Sequence, residues 1–322
     1  MGEKNNVFKV YMERADRLQS VLEYHLGRKL PTDWLMNYTE ESGFYSVITR
    51  KGKVSYRQRD IFKKVSIDGM EYYLGIENQE KINLTIPWRI MQMDCLEYER
   101  QLEEIQQRNV SQGVSYEKSD DYMYKLRRED RLVPILSLVL YWGKQEWKNP
   151  HRLKDMLKME MLSADVEKEI ADYPVHIIEM RSIPEDALEK MDSDLKYVLG
   201  IMKYAGKGKK YREYINKHQE FFRHIPKSAV EVLDVCMNIR DIKSYLVYEK
   251  HDGEEKADMC KAIREIKEEG KKEGRREGRR EGEQRFALLI QKLIEAGKNE
   301  IIGKVAVNAE LRKQLFEEYG IL

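Results

Sequence analysis

The chain has almost no net charge: its 58 Lys and Arg residues stand against 57 Asp and Glu over 322 positions. No global field draws it to a polyanion, so any contact with nucleic acid must come from local basic patches. Cysteine is nearly absent. Cys95, Cys236 and Cys260 are odd in number and far apart, with no Cys-x-x-Cys or Cys/His spacing. This excludes a disulfide framework and a zinc site of the usual spacing, and it reads as reduced thiols in a cytoplasmic protein. The histidines are scattered, with no His-x-x-x-His pair. The longest apolar run, VPILSLVLYW at 133–142, is too short to cross a bilayer. The opening stretch, MGEKNNVFKVYMERADR, holds no apolar signal region, so no membrane partner is expected. There is no glycine-rich phosphate loop of Walker or Rossmann spacing and no Gly-x-Ser-x-Gly elbow.

What is present is enough apolar residue for a core, at 41%, and an unusual amount of balanced charge, at 36%. The charge exceeds the usual quarter and implies long solvated helices or tails.

Helical periodicity covers 6–26, and Pro87 opens a second helical pattern that runs to Gln107. Residues 108–121 read as a polar loop. Tyr45–Thr49 is a short strand candidate ended by Lys-Gly-Lys at 51–53. LVPILSLVLYW at 132–142 reads as a strand buried on both faces, 151–158 as a short helix, and VHIIEMRS at 175–182 as a further strand. The order is α/β. From 185 to 265 the pattern is helical, with no strand expected.

The segment 267–283, KEEGKKEGRREGRREGE, places glycines at 270, 274, 278 and 282. Each costs a helix about 1 kcal/mol relative to Ala, against a few tenths for each exposed i,i+3 charge pair. It therefore reads as a solvated linker or frayed helix. The divisions expected are 1–184, 185–266, 267–283 and 284–322. The last is a small helical unit, too small to bury its own core, that would pair with a second copy or dock on the body.

The organising stretch is RQRDIFKKVSIDGMEYYLGIENQ, Arg57 to Gln79. Asp68-Gly69 is a strong two-residue hairpin turn between β-branched and aromatic residues. With that turn Ile67 faces Met70, Lys64 faces Tyr73, Phe62 faces Gly75, Asp60 faces Glu77 and Gln58 faces Gln79. Alternation then puts Gln58, Asp60, Glu77 and Gln79 on one face. Two opposed carboxylates repel. A divalent cation between them would turn that liability into a site. A bulge that shifts the register, or two solvated acids, would also satisfy the pattern.

These residues resemble a known family. The stretches RQRDIFKK, LGIENQEK, IPWRIMQMDCLEYE and RLVPILSLVLYWGKQEWKNPHRLKDML are similar to the recombination-promoting nuclease family of putative transposases, within the PD-(D/E)XK nuclease superfamily. The likeness runs from about residue 6 to 182. It implies a restriction-endonuclease-like αβββαβ core with a helical C-terminal extension. It further implies Mg²⁺- or Mn²⁺-dependent hydrolysis of DNA phosphodiester bonds.

By the same resemblance Asp60 and Glu77 would hold the metal with the Asn78 backbone carbonyl. Gln79 stands where the superfamily usually has Lys; it can orient a water but carries no charge. Lys64, Lys81 and Arg89 would meet substrate, Arg89 through a Pro-x-Arg pattern. By alternation Arg57, Arg59 and Lys63 face away from Asp60, as phosphate contacts or as a solvated strand face. Tyr98, Trp142 and Trp147 also match the family and are equally suited to packing. The expected partners are DNA and a second copy through the C-terminal helices. A binding or assembly protein on the same scaffold, without catalysis, is the alternative.

Overall fold

The computed structural model describes residues 3–31, 34, 38–40, 43–48, 54–116, 123–237, 239–251 and 253–321. It divides into two units, 1–240 with 248–257, and 241–247 with 258–322.

The first unit is built on a mixed five-stranded sheet. Helices α1 (Glu3–Met12) and α2 (Ala15–Leu26) precede β1 (Tyr38–Glu40), β2 (Phe44–Ile48), β3 (Val54–Gln58), β4 (Ile61–Ile67) and β5 (Met70–Gln79). The long helix α3 (Ile86–Ser111), β6 (Ile135–Tyr141) and β7 (His176–Glu179) follow. The sheet order is β1-β4-β5-β6-β7, while β2 and β3 form a separate two-stranded ribbon. β1, β4 and β5 are antiparallel neighbours; β5, β6 and β7 run parallel.

The hairpin turn sets the register. Asp68 and Gly69 take φ of 54° and 75°, the left-handed pair a type I′ turn needs. Ile67 then pairs with Met70, Lys64 with Tyr73 and Phe62 with Gly75.

The ladder stops at Ile61–Ile76. The segment expected as one strand from Arg57 to Ile67 is broken at Arg59–Asp60, and Gln58 pairs with Phe44 rather than Gln79. The Arg59 N–H donates to the Gly43 carbonyl at 2.9 Å, which turns the chain out of the main sheet. Asp60 is thus freed from the ladder at the sheet's edge.

β6 is central, and Leu138, Val139, Leu140 and Tyr141 are buried. Val139 and Tyr141 pack with Ile86, Ile90 and Met93 of α3, Trp147 and Val175. The other face meets α1, where Phe8 stacks on Trp142 at 4.7 Å. Trp142 and Trp147 are therefore packing residues. A parallel strand covered on both faces reads as an unbroken apolar run, which is why ILSLVLY is legible.

Other expectations change. The strand candidate at 45–49 is β2, in the ribbon, and the Lys-Gly-Lys at 51–53 lies outside the described residues. α3 extends through Ser111, so the first part of the expected loop at 108–121 is helical; 117–122 lies outside the described residues. The 185–265 region does contain strands. After α4 (Leu195–Tyr204) and α5 (Lys209–Lys217), β8 (Ile225–Pro226) leads to α6 (Lys227–Met237). β9 (Tyr248–His251) and β10 (Glu254–Ala257) complete a small sheet of order β8-β10-β9. Their polar sequences, YEKH and EEKA, give no β-branched run to read.

In the second unit, α7 (Met259–Glu295) takes in the whole glycine-rich tract as one helix. Asp258 caps its start, accepting from the Lys261 N–H at 2.7 Å. At its other end Leu289 and Leu293 pack with Val305 of α8 (Ile302–Val307), Leu315 of α9 (Ala309–Glu318) and Ile321. Helix nucleation is the costly step, and with both ends fixed the tract between them only has to propagate. Exposed pairs such as Lys271–Glu268 (3.0 Å) and Arg279–Glu283 (2.9 Å) add a little. The unit expected to lack a core of its own does bury one, because α8 and α9 pack against the end of α7.

Among the described residues no helix is long and apolar enough to cross a membrane.

Candidate functional site

Asp60 and Glu77 sit together at the edge left open where β4 begins and β5 runs on. Both are buried, at 4% and 2% exposure. The Asn78 N–H donates to Asp60 Oδ2 at 2.7 Å, which fixes the Asp60 carboxylate in the plane of the sheet. A strand residue points its N–H and C=O to the same edge. The Asn78 carbonyl therefore shares the Asp60 edge, while the Gln79 carbonyl faces β6 and accepts from the Trp142 N–H at 2.8 Å.

Glu77 pairs with Val139 and Gln79 with Tyr141 across the parallel ladder, so both side chains lie on the α3 face. The Asn78 side chain lies on the α1 face, where its Oδ1 accepts from Trp142 Nε1 at 3.1 Å.

The electrostatics follow from burial. Burial first, and then the neighbouring Asp60 charge, pushes the Glu77 carboxyl from 4.5 up to about 7. Burial also raises Asp60, offset by the Asn78 hydrogen bond and by the charges of Arg89 and Lys9. Glu77 Oε2 accepts from Arg89 at 2.9 Å, but Oε1 is buried with no hydrogen-bond partner among the described residues. A buried carboxylate oxygen without a partner is costly. A hard divalent cation, taking Oε1, an Asp60 oxygen and the Asn78 carbonyl, would satisfy it. The donor set fits such an ion. Among the described residues no group of three or more His, Cys, Asp or Glu side chains is placed to hold a metal ion, so an ion at this edge would rest on two carboxylates and a carbonyl.

The raised carboxyls predict a pH dependence of metal-free stability. A folded-state value above the unfolded one means that the folded protein prefers the protonated form. The corresponding stability is present below pH 4.5 and is lost as pH rises through about 7. In EDTA, urea unfolding of wild type will therefore lose ground to Glu77→Gln between about pH 5 and pH 7. A constant difference across that range would contradict the assignment.

Arg89 is brought to the site by the first turn of α3, against Glu77. Lys64 is not. It lies four residues along β4 from Asp60, about 13 Å at the usual rise, and is paired with Glu71 at 3.0 Å near the turn. Lys81 is exposed beyond the end of β5, with no contact to either carboxylate among the described residues.

Arg59 is neither solvated nor available to phosphate. Because the chain turns at the strand break, alternation fails there, and the side chain folds across Gly75 to the α3 face. A Cβ at Gly75 would overlap its guanidinium. Arg59 donates to Asp94 of α3 and, at 3.0 Å, to Ser137 Oγ of β6. Lys63 is likewise buried. Arg57 donates from Nε to Gln92 at 2.9 Å.

Sequence reading overlooks three participants. Lys9 of α1 acts on Asp60 from the face opposite Arg89. Asp94 also accepts from Ser137 Oγ at 2.7 Å and from the Tyr173 hydroxyl. Trp88 adjoins Arg89 and is partly exposed. None is singled out by residue type or spacing; Trp88 and Asp94 lie within the family-like stretch IPWRIMQMDCLEYE, but their contacts are set by packing between distant segments.

Fold and site together define an α/β protein with a buried acidic pair at the open edge of a mixed sheet and a helical C-terminal region. The chain belongs to the YhgA-like putative transposase family, whose model matches residues 4–233, more than two-thirds of its length. No curated protein and no solved structure matches it.

Proposed function

We propose that this family member is a metal-dependent DNA endonuclease on a PD-(D/E)XK core, of the recombination-promoting nuclease type. The observation that carries the reading is the pair itself: two buried carboxylates with raised protonation, one oxygen without a partner among the described residues, and a backbone carbonyl on the same edge. A purely structural sheet edge gains nothing from this arrangement.

Asp60, Glu77 and the Asn78 carbonyl would hold Mg²⁺ or Mn²⁺. The ion would supply a Lewis acid for the phosphate and lower the pKa of a water. Gln79, on the face of Glu77, orients the water without adding charge. Arg89, held at Glu77 Oε2 by the first turn of α3, would lie beside a substrate phosphate brought to this edge. Lys64 has no part in this scheme, since its ammonium is held near the hairpin turn.

The Arg89–Glu77 ion pair also favours a second reading. It supplies an internal cation, as a DNA-binding or assembly protein without catalysis would need. Cleavage of single-stranded and of plasmid DNA by the purified chain separates the two. The nuclease cuts at least one of them in Mg²⁺ or Mn²⁺ and stops in EDTA; the scaffold leaves both intact in either condition.

A further inference from the structure

Three of the four tryptophans are buried, Trp34 and Trp142 at 1% exposure and Trp147 at 2%. Trp88 is 39% exposed, and Leu84, in the turn that precedes α3, is 65% exposed. Scattered exposed apolar side chains are ordinary, and one bears on function only where it lies beside functional groups.

Trp88 does. It lies in the first turn of α3, immediately before Arg89, whose guanidinium reaches Glu77 at 2.9 Å. The Arg57 guanidinium stands over its indole, 6.0 Å from the ring centroid, and is held by Gln92 at 2.9 Å. Arg57 in turn precedes Asp60 by three residues at the end of β3. The segment that enters the acidic pair and the helix that leaves it thus meet in one partly exposed aromatic with arginines on both sides.

We propose that Trp88, flanked by Arg57, is a stacking platform for an unpaired base of the DNA strand whose phosphodiester lies at Asp60 and Glu77. The substrate class is therefore single-stranded or locally unpaired DNA. The position of the scissile bond rests on the nuclease reading above. Every base offers a π-face to an aromatic ring, and a positive groove follows the backbone beside it. Bases inside an intact duplex are already stacked on one another and gain nothing from the indole. Arg57 and Arg89 beside this indole fit a polyanion rather than an apolar protein surface.

The test uses the full chain in Ca²⁺ buffer without Mg²⁺ or Mn²⁺. Tryptophan emission is titrated with a mixed-sequence single strand and with the blunt duplex made from it. Because Trp88 is the exposed tryptophan, the single strand will quench emission and the duplex will not. Trp88→Phe will lose the quench but keep its affinity, read by anisotropy of a labelled strand. Trp88→Ala will bind the strand about 5- to 100-fold more weakly.

Absence of quenching in wild type, equal quenching by duplex, or unchanged affinity in Trp88→Ala would each overturn the platform. Binding is read without cleavage, so the two failures separate. A chain that holds the strand through Trp88 but never cuts DNA loses only the nuclease reading. One that cuts while Trp88→Ala binds and cuts as wild type loses only the platform.

Discussion

Glu77→Gln and Asp60→Asn will each lower DNA cleavage by at least about 100-fold while leaving the fold intact. Both changes preserve shape and remove a negative charge. The loss expected follows from the several kcal/mol that a Lewis acid contributes, at about 1.4 kcal/mol per tenfold in rate. The fold survives because metal-free Glu77 is already raised to about 7, so a neutral amide resembles its protonated form. In EDTA, Glu77→Gln will be at least as stable as wild type at pH 8. Asp60→Asn keeps an oxygen to accept from the Asn78 N–H. Circular dichroism and single-turnover cleavage in Mn²⁺ read the two sides of this prediction. Cleavage that persisted in both variants would remove the acidic pair from the chemistry.

Asp94→Ala will destabilise the chain by about 3–5 kcal/mol, the usual cost of breaking a buried ion pair from one side. Asp94 is buried at the centre of α3 and accepts from Arg59, Ser137 and Tyr173. Its removal leaves the Arg59 guanidinium without its hydrogen-bonded counter-ion, and leaves two hydroxyl donors without their acceptor. Against a typical folding free energy of about 5–15 kcal/mol that is a large fraction. Arg59→Met combined with Asp94→Leu will cost less than Asp94→Ala alone, since no uncompensated charge remains. Urea midpoints for the three proteins decide it. A cost for Asp94→Ala below about 1 kcal/mol would mean that the pair is not desolvated as described. The pair also bears on the site, because Arg59 adjoins Asp60 at the strand break.

The hairpin was legible because its turn is chemically specified. Asp68-Gly69 admits the left-handed backbone at both positions, and each pairing as far as Phe62–Gly75 follows by counting outward. The apolar run of β6 was legible because burial on both faces leaves no alternation to misread. Counting failed beyond Ile61, where the Arg59 N–H leaves the ladder for Gly43, a contact between segments that no local pattern announces. That single break explains why Gln58 leaves the predicted face and why Arg59 turns inward.

Asp60 reaches the neighbourhood of Glu77 by a different route from the one the pairing implied: through a hydrogen bond to the Asn78 N–H instead of a ladder position. Lys64 was misplaced because alternation gives a face but not a distance along the strand. The glycine-rich tract reads as a linker or frayed helix because propensity sums treat a segment as isolated, whereas α7 is capped at Asp258 and packed at Leu289 and Leu293 and runs through it as one helix. Trp88 and Asp94 lie inside the family-like stretch at 86–99 yet nothing in their type or spacing sets them apart there, and Lys9 lies outside it; their contacts come from where α1 and α3 pack.

The most direct test of the account is thermal unfolding of wild type and Asp60→Ala with Mn²⁺ titrated in, with a DNA strand present to complete the ion's ligands. Filling the site to about 100 times its dissociation constant should add roughly 2.7 kcal/mol to wild type. A metal held at Asp60 gives a cation-dependent rise in wild type that is absent from Asp60→Ala. Equal responses in the two proteins, whether flat or rising, would contradict a metal site at the hairpin.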